Sequence, residues 1–374
     1  MSRDRPIILL SANSFWNIAN FRAGLIRELV AHGYHPVIAA PDADSEWAAG
    51  QGAEAIEIAI DRSGLNPVRD ALAILSYYKL IRRIRPKAFL GFTAKPNIYG
   101  SIAATACGIQ ALPNVSGLGT AFINPGPLSA LVGVLYRIAF RKCPIVFFQN
   151  PDDIELFVSR KIVRREQVRL LPGSGVDLDH FSPVPSSKGI LFLFVGRLLG
   201  DKGVREFVEA AKILRAGHPD WRFQLLGSLD ADNRTAIDRA ELDQWVAGGI
   251  VEHIGHVEDV RPFIAAATAV VLPSYREGLP RSLLEAAAMA RPLIAADVPG
   301  SRQIVRHGVN GLLCTARDAT ALAQAMEELA TMDSGVRNAM GRAGRSLVER
   351  EFGEARVTRG YLDALAQLPP SYGR

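Results

Sequence analysis

The 374-residue sequence has no run fit to cross a bilayer, since no stretch reaches about 18 uninterrupted apolar residues. Its first apolar run, Pro6–Leu10, gives way at once to polar residues and is too short for a signal-peptide core. It reads instead as a buried strand, and the chain as one that is made in the cytoplasm and stays there. Cysteine is scarce. Cys107, Cys143 and Cys314 lie far apart, fit neither a disulfide framework nor a metal spacing, and suit a reducing compartment. After the first run comes SANSFW, without the G-x-G-x-x-G that cradles a dinucleotide, which argues against a dehydrogenase.

Acidic residues are missing from one long sector. Residues 71–151 carry Lys79, Arg82, Arg83, Arg85, Lys87, Lys95, Arg137, Arg141 and Lys142 and not one Asp or Glu. The whole net charge of +5 sits in the N-terminal half: residues 1–185 hold 20 Lys+Arg against 15 Asp+Glu, and residues 186–374 hold 23 of each. A basic face can meet nucleic acid, anionic lipid or a phosphorylated substrate. Nucleic acid lacks support, because no helix-turn-helix, zinc or aromatic-platform signature accompanies the charge.

What is present is a globular composition, 48% hydrophobic and 22% charged, in a chain long enough for two domains. Short apolar runs alternate with amphipathic helices. Pro6–Leu10 precedes a helix over Phe21–His32, then Pro36–Ala40 and a weaker helix over Ser45–Gln51. Runs at Ala88–Gly91, Ala111–Val115 and Ile145–Phe148 are interleaved with helical patterns at Val68–Ile84 and Leu128–Arg141. The rhythm breaks at LPGSGVDLDHFSPVPSSKG and restarts with Ile190–Val195, a helix at Val204–Arg215, Phe223–Leu226 and a helix near Arg234–Trp245. Ala269–Leu272, a helix from Arg281, Leu293–Ala296, Gly311–Leu313 and closing helices, one over Glu354–Leu368, complete it. Such alternation implies parallel sheets flanked by helices. The expected division is a domain at 1–171, a linker at 172–189, a domain at 190–352 and a final helical segment at 353–374 packing back toward the first domain.

Two constellations carry chemistry. In FVGRLLGDKGV, Gly196 permits a sharp turn after a strand, and Arg197 and Lys202 project beside the start of a helix. Two cations and helix amides make a clamp for a diphosphate. In SYREGLPRSLLEAAAMARPLIA, Glu277 and Glu285 stand eight apart, with Gly278, Leu279 and Pro280 between them and a helix opening near Pro280. Both carboxylates can then face one ligand and accept bonds from sugar hydroxyls, while the amides of Leu279–Leu283 donate to phosphate. A third stretch, DVPGSRQIVRHGVNGLLC, has glycines at 300, 308 and 311 that shape turns. The D-x-D pairs at Asp42/Asp44, Asp177/Asp179 and Asp230/Asp232 lie in loop or linker sequence and read as solvated carboxylates, so no metal and no cofactor is expected.

In this order and spacing, GRL…DKG, EGLPRSLLE and the G…IV…GVNGLL stretch resemble the retaining, metal-independent GT-B glycosyltransferases of family 4. The resemblance implies an α/β fold of two Rossmann-like, doubly wound parallel-sheet domains facing across a cleft. It implies that Gly196, Arg197 and Lys202 hold the donor diphosphate, that Glu277 with Gly278, Leu279, Pro280 and Leu283 meets the transferred sugar and phosphate, and that Glu285 binds the ribose. Arg197, Lys202 and Glu277 would be the catalytic groups, and Ile254, in HIGHV, would flank the base. FTAKPNIYGSIAA and PNVSGLGTAF are similar to the branch that extends polyprenyl-diphosphate-linked sugars in bacterial surface glycans. That implies an acceptor site at Lys95, Asn97, Gly117, Gly119 and Thr120, a UDP-sugar donor, and a protein held peripherally at the inner face of the membrane. Many relatives have an N-lobe histidine near the sugar. Here His32 and His35 flank a helix end and a strand start, so that role is absent or falls to Ser116 or Thr120. A nucleotide-sugar epimerase or hydrolase of the same architecture is the rival expectation.

For the membrane surface, two helices are candidates. One is 68–85, with Ile74, Tyr77, Tyr78, Leu80, Ile81 and Ile84 on one side and Lys79, Arg82 and Arg83 on another. The other is Leu128–Phe140, which ends in Arg141 and Lys142.

Overall fold

The computed structural model describes residues 5–61, 66–118, 122, 126–185, 189–229, 233 and 235–369. They fall into two compact units, one of residues 1–174 with 354–374, the other of 175–353.

The first unit opens with β1 (Ile7–Ser11), α1 (Phe15–Phe21), α2 (Ala23–Ala31), β2 (His35–Ala40), α3 (Ser45–Gly50) and β3 (Glu54–Glu57). Then come α4 (Pro67–Ile84), β4 (Ala88–Gly91), a π-helical turn (Pro96–Gly100) running into α5 (Ser101–Ala106), β5 (Gln110–Ala111) and β6 (Asn114–Val115). α6 (Pro127–Phe140), β7 (Val146–Phe148), α7 (Pro151–Ser159) and β8 (Val168–Leu170) follow. A parallel sheet runs β3-β2-β1-β4-β5 and a smaller one β6-β7-β8. Ile8, Leu9 and Leu10 of β1 are wholly buried, as a parallel strand covered on both faces must be.

Two local expectations need correcting. The run 111–115 is not one strand. Leu112 N–H still bonds Phe89, but the Pro113 carbonyl accepts from Phe147, so β5 joins one sheet and β6 the other. Pro113 has no N–H with which to continue the first ladder. The helix anticipated over 21–32 is α2, and a further helix, α1, not anticipated, precedes it and ends at Arg22, whose guanidinium lies 4.5 Å over the Phe92 ring.

The second unit carries β9 (Leu191–Val195), a 3-10 turn (Gly200–Lys202), α8 (Val204–Arg215), β10 (Arg222–Leu226), α9 (Arg239–Ala247), β11 (Glu252–Gly255), α10 (Arg261–Ala266) and β12 (Ala269–Leu272). It continues with α11 (Arg281–Ala288), β13 (Leu293–Ala296), α12 (Ser301–Ile304), β14 (Gly311–Cys314), α13 (Ala319–Thr331) and α14 (Ser334–Glu351). All its strands are parallel, in the order β11-β10-β9-β12-β13-β14. Phe192, Leu193 and Phe194 fill its centre, and α8 turns Val204, Phe207, Val208, Ala211 and Leu214 onto it. Burial of each large apolar side chain contributes about 1.5–3 kcal/mol.

The last helix, α15 (Glu354–Ala366), belongs to the first unit. It buries Val357, Tyr361 and Leu365 in a cluster with Ile8, Leu10, Leu25 and Leu29. Tyr361 stacks edge-on against Phe147 at 4.8 Å, and the Asn114 amide donates to its hydroxyl. Asn114 is itself wholly buried. Tyr361→Phe therefore strands a buried donor and is expected to lower stability by about 1–3 kcal/mol in urea unfolding with little change in shape.

Candidate active site

Because every strand of the second unit is parallel, all its strand exits open at one edge of the sheet, where α/β proteins bind ligands. The exit of β9 is Gly196. A Cβ on Gly227, at the exit of β10, would stand 1.9 Å from the Gly196 carbonyl oxygen, so the two exits touch backbone to backbone. The next exit is tied to them: His253 Nε2 donates to the Gly227 carbonyl at 2.9 Å, beside the half-buried Ile254. Arg197 stands exposed at the same edge.

The loop after β12 is docked onto the turn before α8. Gly203 has φ +75°, and a Cβ there would come 2.2 Å from the Pro273 carbonyl oxygen. Tyr275 N–H bonds Asp201 O at 2.9 Å, and its hydroxyl donates to Glu206 Oε1 at 2.5 Å. The Arg317 guanidinium covers the Tyr275 ring at 4.5 Å. The result is the contact at the centre of the site: Lys202 Nζ lies 2.5 Å from Glu277 Oε1, with the carboxylate side chain only 10% exposed.

From the other side, Gly300 presses on the same loop. Its φ is +83°, and a Cβ would fall 2.4 Å from the Gly278 carbonyl oxygen. Pro280, in extended conformation, is the residue before α11 rather than part of its first turn. Glu285 then falls on the fifth residue of α11. Arg281 Nε donates to it at 2.7 Å. Burial pushes the Glu285 carboxyl above its usual range, against the opposing pull of Arg281 and His180. Leu283 is fully buried in the core, so its side chain is not offered to a ligand. The structure thus brings Lys202 and Glu277 into contact, sets Gly278–Pro280 beside them, and gives Glu285 its own cation. Chemically, the edge offers cations and helix amides to an anion and carboxylates to hydroxyls. Tyr275, Glu206 and Arg317 were not singled out from the sequence. Their only signal there is that Tyr275 is two residues from Glu277.

The acceptor residues expected in the first unit are less uniform. Lys95 forms an ion pair with Asp70 at 3.0 Å, both largely buried, so this cation is already matched. Asn97 does not present its side chain to a ligand. It is 1% exposed, and its amide donates to Asn114 O at 2.7 Å to brace the strand exits. Ser116 Oγ donates to Phe92 O at 2.8 Å, and Gly117 has φ +149°, a conformation that favours glycine. Gly119 and Thr120 lie outside the described residues. Asp44 caps α3 and Asp177 caps the turn at 179–180, while Asp230 and Asp232 lie outside the described residues.

Residues 189–332 match the family described as glycosyl transferases group 1, and residues 7–150 match the glycosyl transferase 4-like family. The chain belongs to these glycosyltransferases. It is 26% identical over 292 residues, 73% of this chain and 75% of the relative, to the N,N'-diacetylbacillosaminyl-diphospho-undecaprenol alpha-1,3-N-acetylgalactosaminyltransferase of Campylobacter jejuni. A UDP-Gal:alpha-D-GlcNAc-diphosphoundecaprenol alpha-1,3-galactosyltransferase of Escherichia coli is 25% identical over 76% of each chain. Among solved structures, HepE of Anabaena, in complex with UDP and glucose, superposes with a TM-score of 0.80 at 18% identity, over 97% of this chain and all of the other. The glycosyltransferase therefore has the GT-B type of fold, with a Rossmann-like sheet in each unit.

The glycosyltransferase also shows which helix faces are open. The α4 side chains Tyr77, Leu80 and Ile81, expected from the sequence as one apolar side, are buried in the core. Its exposed apolar residues are Val68, Leu72 and Leu75. On α6, Leu128, Leu131, Val134 and Ile138 form an exposed stripe at helical spacing, followed by exposed Arg141 and Lys142. Several cations of the basic sector already have partners: Arg137 bonds the Arg160 and Lys161 carbonyls, and Lys87 lies over the Tyr34 ring. Among the described residues no helix is long and apolar enough to cross a membrane.

Gly300→Ala tests the packing behind Glu277. It is expected to cost about 1–3 kcal/mol and to lower the midpoint of thermal unfolding clearly more than Gly308→Ala. Position 308 shares the positive φ but has nothing within 4 Å of a new Cβ, so the difference reads the clash with Gly278.

Proposed function

We propose that this glycosyltransferase moves a hexose or N-acetylhexosamine from a UDP-sugar to a polyprenyl-diphosphate-linked sugar, with retention at the anomeric carbon. The observation that carries the reading is the Lys202–Glu277 pair, held by Tyr275 and Gly300 at the carboxyl edge of the second unit's sheet. Arg197 and Lys202 take the donor diphosphate, Glu277 the transferred sugar, Glu285 the ribose, and Ile254 flanks the base. The amides at Gly278–Leu283 complete the anion site. The names of the Campylobacter and Escherichia relatives support the lipid-linked acceptor, and the UDP in the Anabaena complex supports the donor.

In the step itself, the acceptor hydroxyl oxygen bonds the anomeric carbon on the face from which the diphosphate departs. The carbon–oxygen bond to the diphosphate breaks through an oxocarbenium-like state, and the hydroxyl proton passes to the leaving diphosphate oxygen. No protein nucleophile takes part. The enzyme's contribution is positioning and neutralisation of the departing charge. The lipid tail of such an acceptor fits the α6 stripe and its trailing cations, which are suited to lie at the inner face of an anionic membrane.

The test is release of nucleotide diphosphate from UDP- and GDP-sugars, with and without membranes bearing undecaprenyl-diphosphate sugars. Turnover is expected with a UDP-sugar and only with the acceptor. Arg197→Ala is expected to stay folded and lose about 10²–10³-fold in kcat. Steady turnover without acceptor would replace this reading with a hydrolase or epimerase.

A further inference from the structure

Resting on the proposed lipid-linked saccharide acceptor, we infer that the Trp16 indole is the platform on which a sugar ring of the acceptor stacks. The first unit's sheet has its topological switch point between β1 and β4: the chain runs outward through β2 and β3, then returns to place β4 on the other side of β1. Ligands of open α/β sheets bind beyond the carboxyl ends of the strands at such a point. The structure closes this point with two bonds, Phe92 N–H to Ser11 O at 3.0 Å and Asn13 N–H to Thr93 Oγ1 at 2.9 Å.

α1 begins there. Ser14 caps it, and Phe15 N–H bonds the carbonyl of Pro41, just beyond β2, at 3.1 Å. Trp16 is the next residue, so its position at the exits of β1, β2 and β4 is fixed by backbone bonds. It is 55% exposed, the only tryptophan among the exposed large hydrophobic residues described. It is not a loose side chain: its ring meets Phe21 edge-on at 5.2 Å, and Asn20 donates to its carbonyl at 2.9 Å. An oriented indole face, half open to solvent, matches the apolar C–H face of a pyranose, and the neighbouring polar groups match its hydroxyls.

Those neighbours decide between a sugar and a bilayer. α1 and its cap supply Ser14, Asn17 and Asn20, preceded by Asn13, and no lysine. The nearest cation in sequence, Arg22, is buried over Phe92. A membrane-anchoring aromatic keeps company with exposed cations and further apolar side chains, as on α6. Carboxamides and hydroxyls around one aromatic are the surroundings of a neutral polar ring.

The experiment follows the Trp16 indole N–H in ¹H–¹⁵N spectra, assigned by its loss in Trp16→Phe, while methyl N-acetylglucosaminide is added. Separate samples receive sugar-free phosphatidylglycerol vesicles. Kinetics of Trp16→Ala and Trp16→Phe on undecaprenyl-diphosphate N-acetylglucosamine accompany it. The resonance is expected to shift with the glycoside and not with the vesicles. Trp16→Ala should raise the acceptor KM about tenfold with the donor KM unchanged, and Trp16→Phe should recover most of that. No shift with the glycoside, a shift with vesicles alone, or equal loss for donor and acceptor would each overturn the assignment. The glycoside titration needs no turnover, so it stays informative if the acceptor class proposed above proves wrong. Normal turnover on the lipid-linked acceptor by Trp16→Ala would remove the platform and leave the transferase reading standing.

Discussion

A lysine and a glutamate 75 residues apart in sequence meet at 2.5 Å because three glycines let backbone touch backbone around them. Gly203 admits the Pro273 carbonyl, Gly300 admits Gly278, and Gly227 admits Gly196. At each of these positions a Cβ would collide with a carbonyl oxygen, and a side chain would also be strained by a positive φ. Tyr275 adds a second tie to the turn before α8 through Glu206. The pair is thus held by its surroundings. Removing either partner would leave a mostly buried charge unmatched, the costly situation for any ion pair out of water. On the proposed reading the same tension has a use. An arriving diphosphate competes with Glu277 for Lys202, and a carboxylate released from that cation is free to accept from sugar hydroxyls.

The first unit is built on different terms. Its strand exits are braced by neutral polar groups: Asn97 to Asn114, Asn114 to Tyr361, Ser116 to Phe92, Asn13 to Thr93. Its basic surplus is partly spoken for, with Lys95 on Asp70 and Arg137 on carbonyl groups. A uniformly charged anion trap is therefore not what this edge offers. Beside α1 it carries hydroxyls, carboxamides and one exposed indole, while α6 exposes an apolar stripe.

Much of this was legible in the sequence. Val204–Arg215 coincides with α8 residue for residue because its apolar residues recur at helical spacing, and Ala269–Leu272 and Leu293–Ala296 coincide with β12 and β13 because runs buried on both faces leave apolar blocks. Lys202 and Glu277, singled out in the sequence from separate stretches, do meet, because residues just beyond a strand keep a fixed distance to its end. What escaped depends on tertiary contact. β3, EAIE, has no continuous apolar block, being an edge strand. Pro113 divides one apolar run between two sheets, and nothing local marks on which side each half pairs. The apolar side of α4 that looked suited to a membrane packs inward, since periodicity identifies a face and not its partner. Asn97 and Lys95 were singled out in the sequence without their partners, and the structure shows Asn97 donating to Asn114 and Lys95 paired with Asp70.

The most direct test of the central pair is calorimetric titration of UDP into the wild type, Lys202→Met, Glu277→Gln and the double variant. If the diphosphate displaces Glu277 from Lys202, Lys202→Met binds UDP about 10–100-fold more weakly, the range of one lost charge-assisted contact. Glu277→Gln, freed of the competing carboxylate, binds at least as tightly as the wild type, and the double variant falls back to the level of Lys202→Met. Equal affinities across all four proteins, or a loss in Glu277→Gln as large as in Lys202→Met, would contradict the account.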